Sequence, residues 1–333
     1  MSRTASAEPI EHITELNVAS QPAGHPAVRG QHPKHHGCPK AVFRVRSDVP
    51  TELRHGIFAQ EGEYQAYVRF SNGRAADDRK ADAHGMAIKV LGVTGQKLID
   101  GREHETAQDF VLVDSETFFT GDAADYVRVN WATMGKGIQK LTGWLSILLR
   151  PALLLRILQF VSKRPRSPFE ARYFSTVPFA LGPLVVKYVA LPRNPIILGP
   201  TQGRDGLAES LRTRLGSCGI SFAFALDIQT DPVAQPVENP TIAWSTAGAN
   251  RVVVADIILP RQPLDPSAPA AENLQFSPWH ALSHHMPIGF INEARKPVYR
   301  EMAKARHTRN GIMPIETSDA PDSYTRASQE DAS

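Results

Sequence analysis

Residues 66–73, AYVRFSNG, form a short, mainly apolar run that ends in a turn. Aromatic and branched apolar residues around Arg69 are typical of a β-strand, and Ser71-Asn72-Gly73 is typical of the turn that follows one. Similar short runs occur at 41–45, 86–90 and 110–113. Many short strands separated by turns predict an antiparallel barrel or sandwich.

The rest of the chain contains both helical and extended patterns. Residues 122–161 are helical in character, and leucines in the second half are interspersed with basic residues. Strand patterns return at 220–228, 241–244 and 252–259, and a last helix contains Tyr299. The sequence therefore predicts an α+β fold, an antiparallel barrel or sandwich with flanking helices.

Composition sets the predicted domain boundaries. We predict a flexible N-terminal arm at 1–28, one domain at 29–314 with a helical, basic and apolar insertion near 122–166, and a disordered tail at 315–333. The 333 residues include 42% hydrophobic residues, enough for a sizeable core. A net charge of +3, from 37 basic and 34 acidic residues, is too nearly balanced to indicate a nucleic-acid surface.

Two features indicate the cellular location. The N-terminal MSRTASAEPIEHITEL has acidic residues where a signal peptide needs a continuous apolar stretch. Two cysteines, Cys38 and Cys218, do not form a disulfide framework, which fits a reducing compartment. We therefore expect a cytoplasmic protein.

The most apolar stretch, 141–161, is interrupted by Arg150, Pro151 and Arg156. It falls short of the roughly 18 uninterrupted apolar residues that a membrane span requires. Two interpretations of 141–166 stay open. It is either a core helix whose arginines extend to solvent, or a peripheral element on a membrane or at a substrate entrance.

Arg295, Tyr299 and Arg306 are four and seven residues apart. In a helix these offsets lie within about 40° of one another, so both cations and the phenol share a face. A phenolate gains stability from guanidinium neighbours, and ligation of ferric haem iron is the chemistry that most needs one. The alternative is an exposed, basic C-terminal helix. Because Pro297 disfavours a helix interior, we expect the helix to begin near Arg295, capped from Asn292.

Arg29, His32 and Lys34 precede the first strand inside a histidine-rich segment. Three interpretations compete: a metal site, one catalytic histidine with an arginine that meets an anion, and a solvated polar loop. Arg69 lies within a strand, and if it points inward it needs a carboxylate partner. Haem has two carboxylates.

Five motifs resemble, in the same order, those of the haem catalase superfamily, and the sequence is similar to its short, catalase-related haem proteins. They are Arg29-Gly-Gln-His32-Pro-Lys34, Val68-Arg-Phe-Ser71, Asp82-Ala-His-Gly85-Met-Ala-Ile-Lys89, Asp109-Phe110 with Phe118-Phe119, and Arg295-x-x-x-Tyr299. The resemblance covers about 26–130 and 276–310. It implies a catalase-like antiparallel barrel around a haem pocket.

The resemblance also implies roles for the residues around haem b. Tyr299 matches the proximal ligand of the ferric iron, and Arg295 the arginine that keeps it ionised. His32 matches the distal acid/base, with His35 and His36 as minor rivals, and Ser71 a serine that orients it. The residues matched to haem contacts are Arg29, Arg69 and Arg306 for the propionates, and Phe119 and Tyr126 for the porphyrin.

Asp114 departs from the family pattern. Alignment on Phe118-Phe119 places it where catalases carry a distal asparagine, whose amide can donate a hydrogen bond that an ionised carboxylate cannot. Either the alignment slips by a residue, or the distal pocket is tuned away from dismutation of hydrogen peroxide.

The implied function is a haem-dependent, peroxide-decomposing oxidoreductase of the catalase or peroxidase type. Alternatives are a peroxidase for organic or lipid hydroperoxides with a membrane-surface helix, a non-catalytic haem-binding or sensing protein, and a barrel that binds another small molecule. The sequence leaves the electron donor and the presence of a homo-oligomer open.

Overall fold

The computed structural model describes residues 7–21, 23–24, 27–193, 203–265 and 272–311. These ranges contain ten strands and six α-helices. The strands are β1 His35–Gly37, β2 Lys40–Val45, β3 Gly62–Asn72, β4 His84–Leu91, β5 Ala107–Val113, β6 Tyr173–Phe174, β7 Phe179–Leu181, β8 Leu184–Pro192, β9 Ile220–Ile228 and β10 Asn250–Leu259. The helices are α1 Ala7–Ala19, α2 Ala123–Met134, α3 Gly137–Leu148, α4 Pro151–Val161, α5 Gly206–Ser217 and α6 Phe290–Asn310.

Eight strands close into an antiparallel barrel, which confirms the predicted α+β fold. Their order is β3-β2-β10-β9-β8-β6-β5-β4, and β4 pairs with β3 to complete the circle. The short strands β1 and β7 add to β3 and β8. Closure leaves no long unpaired strand edge in the barrel wall.

The barrel interior is filled with aromatic side chains. The ring centroids of Phe43 and Phe110 lie 5.7 Å apart, and those of Phe110 and Phe224 lie 4.8 Å apart. In β3, β4 and β5 the even-numbered residues such as Phe70 and Met86 join this core. Because side chains alternate along a strand, the odd-numbered residues point to the outer face of the barrel.

The odd-numbered residues are in register across three strands. Arg69 lies opposite Ala87, which lies opposite Val111. Ser71 is likewise opposite Gly85. The barrel forms as predicted, and the cavities described below lie against this outer face rather than among the core side chains.

Helix α1 occupies part of the segment for which the sequence predicts a flexible arm. It packs on α6 and α2, with Ile13, Thr14 and Asn17 buried. Ile10, Ile13, Thr14 and Asn17 have the i, i+3, i+4, i+7 spacing of one helical face. This helix was not recognised from the sequence, because two of the four positions on its buried face are polar.

Three helices occupy the stretch for which we predict a helical insertion. Asp122 caps α2 by accepting a hydrogen bond from Asp125 N at 2.8 Å. No single helix in the described ranges is long and apolar enough to cross a membrane; α3 and α4 reach that length only together, and they are bent by 101°. The predicted tail at 315–333 lies outside the described residues.

Helix α6 begins earlier than the sequence predicts. It starts at Phe290, includes Pro297 in its interior and ends at a left-handed Gly311. Asn292 is not a cap: its side-chain amide donates to the carbonyls of Pro178 and Ile288. This early start makes room for a complete turn before Arg295, and that turn holds the arginine in place.

Candidate functional site

Two adjoining cavities lie between the outer barrel face and the helices. We call the first, of about 120 Å³, the arginine cavity, since Arg29, Arg69 and Arg306 line it. The second, of about 280 Å³, is the aromatic cavity, lined by Phe118, Phe119, Tyr126 and Phe160. The two share six lining residues, namely Gln31, His32, Val111, Leu112, Val298 and Tyr299.

Nine of the ten residues predicted for the site line these cavities. Arg29, His32, Arg69, Ser71, Tyr299 and Arg306 line the arginine cavity. Phe119, Tyr126 and Arg295 line the aromatic cavity, which His32 and Tyr299 also reach. Residues separated by more than 200 positions are therefore brought together, and Asp114 is the exception.

Helix α6 supplies the tyrosine and its charged neighbour. Arg295 Nη2 donates to the Tyr299 hydroxyl at 3.2 Å, and the guanidinium carbon lies 5.3 Å from the ring centroid. Arg295 Nη1 donates to Asn292 Oδ1 at 3.1 Å. Asn292 is fully buried and is held by the Pro178 carbonyl at 2.8 Å. The guanidinium of Arg295 is therefore held between Asn292 and the hydroxyl of Tyr299.

His32 faces this helix from the segment ahead of β1. Its Nδ1 lies 3.1 Å from Ser71 Oγ, and its backbone N–H donates to Gly73 O at 3.0 Å. Its φ of 53° is in the left-handed region, where a non-glycine residue is strained. Burial, with help from the positive charge of Arg69, lowers the pKa of His32 to about 4. The imidazole is therefore neutral near pH 7 and able to accept a proton.

The arginine cavity concentrates positive charge. Arg69 and Arg306 are both buried. Burial, together with repulsion from Arg29, lowers the pKa of both guanidinium groups. The carboxylate at this cluster is Glu272, which lies 2.6 Å from Arg29 Nη1 and 3.4 Å from Arg69 Nη2.

Among the described residues of this cluster, three guanidinium groups face the carboxylate of Glu272, which leaves an excess of two positive charges. Arg69 Nε is buried and has no hydrogen-bond partner. An unpaired buried donor is costly, so this cluster favours a further anion. The walls beside it are apolar, with Val111, Leu112, Phe276 and Val298. A flat apolar group with two carboxylates, placed next to a phenol, fits this set of residues, and haem is such a group.

Glycine makes this close approach possible at Gly85 on β4. A Cβ there would lie 2.7 Å from His32 Nδ1 and 2.9 Å from Ser71 Oγ. Any larger residue would displace one of the two side chains. Gly85 stands in the Asp82-Ala-His-Gly85 motif, but no role for it is predicted from the sequence.

Asp114 is not among the residues that line the two cavities in the described structure. Its carboxylate accepts from His84 N and pairs with His84 Nδ1, each at 2.8 Å. Lys163 adds a second ion pair at 3.5 Å. The hydrogen-bonding capacity of the Asp114 carboxylate is thus used by His84 and Lys163. Val113, one residue earlier, lines the aromatic cavity.

The rival histidines also have other partners. His35 Nε2 lies 3.3 Å from Glu272 Oε1, and His36 Nε2 lies 2.9 Å from Asn72 Oδ1. Within the described ranges no group of three or more His, Cys, Asp and Glu side chains could hold a metal ion. Of the three described histidines at 32, 35 and 36, His32 lines both cavities.

Sequence reasoning missed an amide chain that crosses the cavity wall. Gln31 Nε2 donates to Asn17 Oδ1, and Asn17 Nδ2 donates to Asn130 Oδ1, each at 3.1 Å. It links the segment before β1 to α1 and α2. The spacing of Ile10, Ile13, Thr14 and Asn17 was the feature of the sequence from which a buried helical face at Asn17 could have been predicted. Glu272 was missed because it follows a proline-rich loop without a motif of its own.

Comparison with known proteins gives a fold but no sequence family. No protein-family model and no curated protein matches the chain. A fungal catalase crystal structure matches with a TM-score of 0.64 and 15% identity over 96% of this chain and 67% of that one. A bacterial catalase structure matches with a TM-score of 0.63 and 18% identity over 95% of this chain and 66% of that one.

The chain therefore has a catalase-like fold and spans about two thirds of the length of these catalases. This confirms the resemblance at the level of the fold. The roles of individual residues stay predictions.

Proposed function

We propose that this protein binds haem b through Tyr299 and decomposes peroxide on the His32 side. The observation that carries the proposal is that Arg295–Tyr299 and His32–Ser71, on separate elements, line the same pair of cavities. The catalase-like fold supports it, since two proteins that share the fold are catalases.

When bound, haem would supply ferric iron, whose redox chemistry cleaves the peroxide O–O bond. Tyr299 would hold the iron as a phenolate, and Arg295 would stabilise that negative charge through its Nη2 donor. Arg29, Arg69 and Arg306 would hold the propionates, because guanidinium matches carboxylate geometry.

His32 would act as the general acid/base. Ser71 Oγ engages Nδ1, which leaves Nε2 to accept a proton from the nearer peroxide oxygen and to return it to the departing one. A neutral ring is needed for the first transfer. The lowered pKa of His32 provides it at neutral pH.

The first test is spectroscopic. Purified protein supplied with haem should show a Soret band, and Tyr299→Phe should change its position and weaken haem retention, because the phenolate is lost. Tyr64→Phe is the matched control, since Tyr64 packs against the barrel core and lies in neither cavity wall. An unchanged spectrum in Tyr299→Phe would contradict the assignment of Tyr299 as the iron ligand.

The choice of peroxide needs a second test, because part of the aromatic cavity is apolar. Val129, Ile157, Phe160 and Val161 line it, and such a wall suits an alkyl chain. An organic or lipid hydroperoxide is therefore the second candidate substrate. Oxygen evolution from hydrogen peroxide supports a catalase, and faster consumption of an alkyl hydroperoxide with an electron donor supports a peroxidase. A Soret band with turnover of neither would support the haem-binding or sensing alternative.

We also propose the cytoplasm as the site of action. The described Cys38 and Cys218 are both free thiols, which suits a reducing compartment. Fractionation of the native host is the measurement that tests this location.

A further inference from the structure

The outer surfaces of α3 and α4 form an exposed apolar patch. Nine of the eleven strongly exposed large apolar side chains in the described part of the chain belong to these helices and the corner between them. Leu149 at the corner is 82% exposed and Ile138 is 76% exposed. Isolated exposed apolar residues are normal, whereas a concentrated group marks a binding surface. The nine are Ile138, Leu141, Trp144, Leu145, Leu148, Leu149, Leu155, Leu158 and Val161.

The inner surfaces of the same helices are firmly packed. A Cβ at Gly143 would lie 2.4 Å from Ala132 N of α2, so the two helices are in close contact. Ile147 and Leu153 are buried in a cluster with Val129. The helix pair is thus anchored to the protein by one face. Its other face is free to bind a partner.

The charge around the patch indicates the kind of partner. Residues 126–169 contain eight basic residues and no acidic residue, and four of the eight form ion pairs with Asp125 or Asp114. Lys136, Lys140 and Arg164 are exposed near the ends of the two helices. Leucine and tryptophan on one face, with lysine and arginine beside them, are typical of helices that bind anionic bilayers.

Helix length distinguishes an interfacial position from a membrane span, and charge distinguishes a bilayer from a second copy of this chain as the partner. Helices of 12 and 11 residues are about 17 Å long, short of the hydrocarbon core of about 30 Å, so each fits the interface plane better than a span. A second copy of this chain is a poorer partner. In a face-to-face dimer both patches would carry the same positive charge.

We propose that the α3–α4 patch is a docking surface for an anionic lipid bilayer. The leucines and Trp144 would enter the acyl boundary, and the basic residues would meet the headgroups. Because α4 also lines the aromatic cavity through Ile157 and Phe160, docking would bring that cavity beside the bilayer. The docking itself does not need haem, so it is tested independently of the proposed catalysis.

The test is flotation of the full-length protein with vesicles of phosphatidylcholine, with and without phosphatidylglycerol. The wild type should float with the anionic vesicles, and high salt should weaken this binding. Leu141→Glu/Leu145→Glu/Leu148→Glu should weaken it at least about tenfold, because three apolar anchors become charged. Trp144 emission should shift to the blue on binding, and Trp144→Phe should lose the shift.

Val233→Glu is the matched control, because Val233 is 87% exposed and lies outside the patch. It should float like the wild type. Should the triple variant fail to fold, Lys136→Gln/Lys140→Gln/Arg164→Gln tests the electrostatic part, with a loss confined to anionic vesicles. Absence of wild-type flotation, or undiminished flotation of the folded triple variant, overturns the proposal. So does a wild type that self-associates through these leucines and ignores vesicles.

Discussion

The space around His32 is set by its immediate neighbours. Its left-handed backbone, the contact with Ser71 Oγ and the missing side chain at Gly85 together fix where its ring lies. The motif around His32 made it a candidate from sequence. The need for glycine at 85 was not predictable, because it depends on the register of β3 with β4, which places Ser71 opposite Gly85.

We therefore expect Gly85→Ala to reduce peroxide turnover about a hundredfold while haem still binds. The new Cβ would displace the His32 ring or the Ser71 hydroxyl, and a shift of about 1 Å in a reacting group has a cost of this size. Steady-state kinetics with a Soret titration measures both quantities. Gly62→Ala is the control on the same sheet, since a Cβ there would have only Tyr64 as a neighbour, at 3.8 Å. Equal turnover in the two variants would contradict the positioning role.

The proposed role of His32 in proton transfer gives a second prediction for a single residue. His32→Asn should lower turnover by a factor of about 10²–10⁴, because general acid/base transfer is lost. Asparagine tolerates the left-handed backbone, so folding and the Soret band should persist. With its pKa lowered to about 4, His32 should give wild-type turnover that is level from pH 8 to 5 and falls as pH drops through 4. An acid limb centred near 6.5 would contradict the assigned environment.

At the scale of elements, α6 and α1 enclose the cavities from one side. α6 presents Tyr299, and α1 contributes Asn17 to the amide chain with Gln31 and Asn130. The face of α6 was predictable, because charged and aromatic residues at offsets of four and seven stand out. The stripe of α1 was not recognised, because its buried positions include Thr14 and Asn17, and their burial depends on partners in α2 and α6.

Ile13→Ala should loosen α1 specifically. Ile13 is fully buried, and removal of its methyl groups costs about 2–5 kcal/mol. We expect faster hydrogen exchange of α1 amides, with less change in the barrel strands, and faster loss of bound haem. Glu15→Ala on the exposed face of α1 is the control. If both variants exchange alike, α1 is not held by this contact.

At the scale of the whole molecule, the interior of the barrel holds the hydrophobic core, and its outer face forms one wall of the cavities. Even-numbered residues of β3–β5 join the aromatic core, and odd-numbered residues, together with Met86 and Leu112, line the arginine cavity. Short-range patterns in the sequence predict the strands and an antiparallel barrel or sandwich, and the family resemblance predicts the closed barrel. They do not predict where Glu272 or Asp114 lies, since these carboxylates are placed by partners distant in sequence, Arg29 and His84.

The buried histidines make the stability of the whole fold depend on pH. Burial is the main cause that lowers the pKa of His285 to about 3 and that of His36 to about 3. In the unfolded chain these groups titrate near 6.5. Between those values the unfolded state binds more protons, so stability falls as pH decreases from about 6.5 toward the folded pKa, by up to about 1.4 kcal/mol per pH unit for each histidine.

His285 shows why protonation is unfavourable inside the fold. Its Nε2 accepts from Ile57 N at 3.0 Å, and its Nδ1 lies 2.9 Å from the Tyr188 hydroxyl, so both nitrogens are used by the neutral ring. His284 and His55 lie close by and would repel a charge. We expect urea denaturation from pH 7 to 4.5 to show a steadily falling free energy of unfolding. In His285→Gln the pH dependence of the free energy of unfolding should decrease by about one bound proton relative to the wild type. A free energy of unfolding that is flat over this range would contradict neutral burial of these histidines.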